Sequence, residues 1–371
     1  MEERELVYLT ALNLAFRYQG AIAQTLLAHF GEAEAIFQYT PDKLKQITGL
    51  TTQACQKLLA PQTLTEARHE IEWTHKQGIK TYPIHSTRYP KRLKHCPDAP
   101  VILYQKGAAD LSAAKILAVV GTRNATAYGE QACSQLIYGL AKRGHQCVIV
   151  SGLAYGIDAS AHKAALEAGL PTVAVFAFGL DNVQPSAHYN LAQRIQAQGA
   201  CISDFPSKTS VVKSNFIKRN RIIAGLADGV LVVESREKGG ALITASIAQS
   251  YDREVMAVPG RMGDRSSEGC NNLIKSQGAA LVHSVDDVEA QLGWMPVRSS
   301  TSPLALPQER DLIDFELLQS LQQDGPLSLD LLHRRSQIPL PELSARLMRL
   351  VLKGSIKRLS TNQYALLNTT P

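Results

Sequence analysis

The residues with the most chemical potential run from Ser214 through Asn215, Phe216, Ile217, Lys218, Arg219, Asn220 and Arg221 into Ile222-Ile223-Ala224-Gly225. Between Ser207 and Arg221 the chain carries five Lys/Arg, Lys213 among them, and no Asp or Glu. One aromatic sits among these cations. Cations neutralise phosphates and an aromatic face stacks on a base, so the combination suits a polyanion better than a neutral small molecule. Read as a loop, the stretch would be seated on a short buried helix from Ile222 to Ala227. The plainer alternative is a solvated basic loop.

Signatures of bond-making chemistry are thin. Ser151 stands in Ser-Gly rather than in Gly-x-Ser-x-Gly. Asp158 and His162 are four apart, on one helix face. A dyad is conceivable there, but Asp158 as a helix N-cap and His162 as a packing or capping partner is the preferred reading. The six cysteines, Cys55, Cys96, Cys133, Cys147, Cys201 and Cys270, are scattered without a CxxC. They read as reduced thiols with no metal site in their spacing. Gly121-Thr122-Arg123-Asn124-Ala125-Thr126 is not GxGxxG, and no Walker A loop occurs. No catalytic residue and no cofactor is assigned.

The elements that must position the basic stretch are short apolar runs alternating with helical patterns. Candidate strands are Ile116–Val120, Cys147–Val150, Thr172–Phe176, Ala200–Ser203, Gly229–Val233, Glu254–Val258 and Ala279–Val282. This alternation implies an α/β fold: a Rossmann-like, mostly parallel sheet with helices on both faces. Ligands on such sheets bind beyond the carboxyl ends of the strands. Those ends here are Gly121–Asn124, Ser151–Asp158, Phe178-Gly179, Glu234–Arg236 and Pro259-Gly260. Glycine recurs at them, as close approach of a ligand requires.

At 371 residues the chain is long enough for two or three domains. Hydrophobic content of 45% and charged content of 19% describe an ordered globular protein. The net charge of +6 permits an anionic partner without demanding one. Glu2, Glu3, Arg4 and Glu5 open the chain, so no leader peptide is expected. No apolar stretch approaches the roughly 20 residues that span a bilayer, so no membrane association is expected.

Four segments follow. Residues 1–70 read as a helical domain. Within it, Ile47-Thr48-Gly49-Leu50-Thr51 before a helix resembles a helix-hairpin-helix turn, whose amides can bind phosphate; a small packing domain is the preferred reading. The earlier Arg17-Tyr18-Gln19-Gly20 lacks the glycines of a second hairpin. Residues 71–292 are the Rossmann-like domain, entered by a proline-rich, extended lead-in through Pro90, Pro97 and Pro100. Residues 293–308 are a linker. Residues 309–371 show three helices and a hairpin, a winged-helix pattern. In it Ser328 caps the second helix, and the third begins at Pro339 or Pro341 and runs to Lys353, stopped by Gly354. Arg346, Arg349, Lys353, Lys357 and Arg358 lie on the third helix and the strand after it. They fit a DNA-reading helix and a protein-docking module equally.

With these motifs in view, the chain resembles the DNA-processing protein A (DprA/Smf) family. The matching stretches are Tyr89-Pro90 to Leu93, Val119 to Arg123 with Tyr128-Gly129, and Ser151 to Asp158 with Ala161-His162. Arg219 to Gly225, Val232-Val233-Glu234 with Gly240 to Ala245, Ala257 to Gly260, and Gly269 to Ile274 complete the set. The helical segment, of helix-hairpin-helix or SAM-like type, and the winged-helix segment fit the family's layout.

The resemblance implies a cytoplasmic, non-catalytic protein that binds single-stranded DNA on its Rossmann-like domain and forms a homodimer through it. Such a protein protects incoming DNA and helps load the RecA recombinase in natural transformation. Carried over by motif, Arg123, Lys213, Phe216, Arg219, Asn220 and Arg221 would line the DNA pocket. Gly121, Ser151, Gly152 and Gly156 would offer backbone contacts. Ile217, Asp204, Ser207-Lys208-Thr209 and Glu237-Lys238-Gly239-Gly240 depart from the family's pattern and leave local loop shape open. The alternative is a nucleotide-processing enzyme of the phosphoribohydrolase type on a related sheet. Its PGGxGTxxE signature is only echoed by Pro259 to Glu268. A third reading is a duplex-binding regulator that uses the winged helix alone.

Overall fold

The computed structural model describes residues 2–16, 20–295, 309–352, 355–360 and 362–367. Residues 1–297 form one compact unit and residues 298–371 a second. Arg17 to Gln19, most of the expected linker, and Lys353 and Gly354 lie outside the described residues.

Six helices open the first unit: α1 (Glu2–Phe16), α2 (Gly20–Phe30), α3 (Ala33–Ile36), α4 (Pro41–Thr48), α5 (Thr52–Leu59) and α6 (Pro61–Lys76). Then come β1 (Lys80–Pro83), α7 (Lys91–Lys94), β2 (Ile102–Gly107), β3 (Ile116–Val120), α8 (Ala127–Lys142), β4 (Val148–Ser151), α9 (Ile157–Glu167) and β5 (Thr172–Val175). A 3-10 turn at Ser186–His188 leads to α10 (Tyr189–Gln198), β6 (Ala200–Ser203), α11 (Lys213–Leu226) and β7 (Gly229–Val232). The unit closes with α12 (Gly240–Ser250), β8 (Glu254–Ala257), α13 (Glu268–Lys275), β9 (Ala280–Leu281) and α14 (Val285–Leu292).

The sheet order is β1-β2-β6-β5-β4-β3-β7-β8-β9. From β6 to β9 every pairing is parallel. The chain winds outward from β3 to β6, then returns to the other side of β3 for β7 to β9. The order therefore reverses between β3 and β7, which is the switch point where such sheets open a crevice at their carboxyl edge. Side chains alternate as the pleat demands. Ile116, Ala118 and Val120 pack with Ile222 and Ile223 of α11 on one face, while Leu117 and Val119 meet Leu136 and Ile137 of α8 on the other.

Two sequence expectations need correction. The lead-in is part of the sheet: β1 pairs antiparallel with β2, and β2 antiparallel with β6. Its prolines fall at the strand end and in the loops, where no ladder amide is lost. The basic stretch is not a loop but the first half of α11. Nothing between Lys213 and Arg221 breaks a helix. Asn215, Arg219, Ile222, Ile223 and Leu226 are all buried, at helical spacing. Two inward-facing polar residues disguised that stripe.

The amino-terminal helices share one core with the sheet. Leu9, Leu12 and Phe16 belong to the apolar cluster that includes Ile102 and Ile202. Asn13 Nδ2 donates to the Asp204 carbonyl at 2.9 Å, and Gln24 Nε2 to the Ala99 carbonyl at 2.8 Å. At the hairpin-like turn Gly49 ends α4 with φ 69° and Thr51 caps α5, accepting from the Ala54 amide.

The second unit holds α15 (Glu309–Asp324), β10 (Leu327–Ser328), α16 (Leu329–Ser336), α17 (Leu340–Leu352), β11 (Ile356–Ser360) and β12 (Gln363–Leu366). Its antiparallel sheet runs β10-β12-β11. Ser328 caps α16 as expected, and Leu332, Leu343, Leu347 and Ile356 are fully buried. β10 is too short to show a period and went unseen in the sequence. Arg346 is buried in ion pairs with Asp314 and Glu342, which removes it from the candidate DNA-reading face.

Candidate nucleic-acid interface

The carboxyl edge of the sheet is built around the loop that follows β4. Gly152 and Ala154 donate their amides to the Asp158 carboxylate at 3.2 and 3.4 Å, and Ser151 Oγ donates to the Val119 carbonyl at 2.6 Å. Gly156 has φ 73°, and a Cβ there would stand 2.3 Å from the Thr122 carbonyl oxygen. A Cβ on Gly152 would stand 2.5 Å from the Arg219 guanidinium. Gly121 backs onto Ile157 in the same way. These glycines serve close packing of chain on chain.

Arg219 is 4% exposed and donates through Nη1 to the carbonyls of Gly152, at 2.8 Å, and Val175. Burial lowers its guanidinium pKa to about 10, with Arg123 adding to the drop and Asp158 opposing it. It stays charged at neutral pH. Burial likewise raises the Asp158 carboxyl, against the pull of Arg219.

Phe216 is half-buried. Its ring lies edge-on to Phe178 at 6.4 Å, with the guanidinium carbons of Arg123 at 5.3 Å and Arg219 at 6.0 Å from its centroid. Arg123 and Lys213 are exposed, and Asn220 is half-buried and accepts from Arg219 Nε at 3.3 Å. The structure thus brings Arg123, Phe216, Arg219, Asn220 and the Ser151–Gly156 loop together, with Lys213 at the start of the same helix. It does not bring Arg221 to them. That side chain is buried elsewhere, paired with Asp204 and donating to the Asp98 carbonyl. Two residues of separation on a helix are about 200° of rotation, so Arg219 and Arg221 point to opposite sides of α11. The expectation that both reach phosphate is corrected: Arg219 fastens the loop and Arg221 fastens α11 to its surroundings.

Asp158 and His162 do not form a dyad. The carboxylate accepts from the loop amides, while His162 Nδ1 is 2.7 Å from Thr172 Oγ1. Burial pushes the His162 imidazole down to about 3, so it is neutral at physiological pH.

Glu234, which the sequence offers as a strand end and as part of a family-like stretch, is a central anchor. It is fully buried and accepts from the Thr126 amide at 2.9 Å and Thr126 Oγ1 at 2.6 Å. It lies against Gly129, where a Cβ would stand 2.3 Å from its carboxylate. In dinucleotide folds the first helix N-terminus after the switch-point strand receives a pyrophosphate. Here a protein carboxylate fills that position at α8. Further cations stand exposed on the loops after β7 and β8, namely Arg236, Lys238, Arg261 and Arg265. Scattered over 30 residues, they form no run in the sequence.

The fold and this edge define a doubly wound α/β protein whose sheet carries an aromatic ring and cations at its carboxyl edge, followed by a winged-helix unit. The model of the family described as DNA recombination-mediator protein A matches residues 80–293, and that of the DprA winged helix domain matches residues 301–361. The chain belongs to the DNA recombination-mediator protein A family. It is 37% identical over 317 residues to Protein Smf of Escherichia coli, covering 84% of this chain and 83% of that one. DNA processing protein A of Streptococcus pneumoniae superposes with TM-score 0.56 at 35% identity, over 68% of this chain and 91% of that structure. That of Helicobacter pylori, described for its single-stranded DNA binding mode, superposes with TM-score 0.52 at 29% identity, over 58% and 95%. Among the described residues no helix is long and apolar enough to cross a membrane.

Proposed function

We propose that the protein binds single-stranded DNA at the carboxyl edge of its sheet, without catalysing a reaction on it. The carrying observation is Phe216, half-exposed and bracketed by the Arg123 and Arg219 guanidiniums. A ring held this way stacks on any base, as a handler of arbitrary sequence needs. Arg123 and Lys213 supply phosphate contacts, Asn220 a polar contact, and Gly121, Ser151, Gly152 and Gly156 backbone surface. Lys213 stands at the positive end of α11, which has no side-chain cap; an anion there offsets an otherwise unfavourable pairing of lysine with the helix dipole.

The family supports the finer reading: a cytoplasmic homodimer, joined through its Rossmann-like unit, that protects incoming DNA and helps load RecA. The phosphoribohydrolase alternative is disfavoured by Glu234, which fills the α8 N-terminus. Incubation with nucleoside monophosphates separates the two, since released base would favour the enzyme. The main test is titration with single-stranded and duplex oligonucleotides over a range of salt. Preference for the single strand is expected, with log affinity falling by about 0.7 per neutralised phosphate per log unit of salt. Equal affinities, or a flat salt response, overturn the proposal.

A further inference from the structure

We infer that Tyr155, braced by His188, is a second base-stacking platform beside Phe216, so that the carboxyl edge engages two bases of one strand. The inference rests on the reading of that edge as a single-strand site.

Isolated surface tyrosines are ordinary, but Tyr155 differs in how it is held. Its side chain is 51% exposed, yet its loop is fixed at every step. The Gly152 and Ala154 amides are bound by Asp158, and the Ile157 amide donates to the Thr122 carbonyl at 3.2 Å. Leu153, between them, is fully buried at φ 57°. A non-glycine residue held in this region costs energy, and such positions gather at ligand clamps. The Tyr155 ring meets His188 edge-on at 4.9 Å, and His188 Nδ1 donates to the Leu153 carbonyl at 2.9 Å. The brace is therefore tied to the loop it supports, and the outward face of Tyr155 is pre-ordered.

Placement supplies the second argument. Phe216 draws its neighbours from the loops after β3 (Arg123) and β5 (Phe178). β4 lies between those strands, so the Tyr155 loop emerges between them, about 5 Å from each along the edge. Phe216 reaches this point from α11, Tyr155 from the loop between β4 and α9, and His188 from the turn before α10. Two aromatic faces on neighbouring loops of one edge, with the Arg123 guanidinium 5.3 Å from the Phe216 centroid, suit consecutive bases of a single strand. A duplex, with its bases paired and stacked, offers neither face.

The test uses the full chain and oligothymidylates of increasing length. Tyr155→Ala should bind the longer oligomers about 5- to 150-fold more weakly, the range for losing one stacked base, with the salt slope unchanged. The loss should vanish on the shortest oligomers, which fill only the Phe216 position. Tyr155→Phe should bind as the parent does. In the Tyr155→Trp variant, tryptophan emission should be quenched on binding by more than in the parent, whose Trp73 and Trp294 set the background, a readout independent of whether Tyr155→Ala folds well. The inference is overturned if Tyr155→Ala matches the parent at every length while Phe216→Ala does not, or if the emission at saturation is quenched no more than the parent's. If the parent itself shows no preference for single strands, the underlying reading falls and this one with it.

Discussion

Arg219 donates to the carbonyl oxygen of Gly152 at 2.8 Å and so closes α11 onto the loop that follows β4. The same guanidinium lies under Phe216, 6.0 Å from its centroid, and is sensed by the buried Asp158. One side chain thus fixes a helix, a loop and the pose of an aromatic ring. Removing it leaves two carbonyls without their donor and takes a favourable charge from the field of a buried carboxylate. Arg219→Ala is expected to lower stability by about 3–5 kcal/mol, as breaking a buried charge arrangement does. The exposed Arg123→Ala should stay within about 0.5 kcal/mol of the parent. Urea denaturation checks both, and equal losses would contradict the division of roles.

In binding the order is different. Phe216→Ala is expected to weaken single-strand affinity by about 1–3 kcal/mol with the salt slope preserved, because stacking releases no counterions. Arg123→Ala should weaken affinity and lower the slope by roughly 0.7. Parallel isotherm series over salt concentration separate the two signatures. A slope change in Phe216→Ala would assign its effect to displaced cations instead.

Much of this architecture was legible in the chain. Runs such as Ile116–Val120 and Gly229–Val233 are apolar and buried on both faces, and that pattern survives without knowledge of the fold. What escaped notice depends on partners far away in sequence. Arg219 and Arg221 look like solvated cations until Gly152, Val175 and Asp204 are brought to them. Glu234 looks like a strand end until Thr126 and Gly129 arrive above it. β1, at the sheet's edge, and β2 beside it look like extended lead-in because antiparallel additions to a sheet need only a neighbour, not a pattern. Tyr155 could have been suspected from one signal: a bulky aromatic inside the glycine-flanked Ser151–Gly156 turn.

His162 should leave a mark on acid stability. Its folded pKa is about 3, below its ordinary value of 6.5. As pH falls below 6.5 the unfolded chain takes up a proton that the folded protein refuses. The stabilising difference is complete above pH 6.5 and is lost progressively toward pH 3. Between pH 7 and pH 5 the protein should lose roughly 2 kcal/mol from this residue. Stability curves at the two pH values should converge by that amount in His162→Gln. An unchanged pH dependence in the variant would mean His162 is not held neutral.

The winged-helix unit should be dispensable for most single-strand affinity. The cut matters, because Trp294 is 6% exposed and packs against His145 at 5.8 Å. Ending the chain after Val297 should preserve folding and binding. Ending it after Leu292 removes a buried tryptophan and should cost about 3–5 kcal/mol of stability. If the chain ending at Val297 melts normally but no longer binds, the site belongs to the second unit.

The most direct measurement is photo-cross-linking of an iodouracil-substituted single strand to the full protein, followed by peptide mapping. Attachment at Phe216, with Tyr155 or neighbours of Arg123 as the only other positions in residues 1–297, is the expected result. Attachment confined to residues 309–371, or to surfaces away from the carboxyl edge of the sheet, would contradict it.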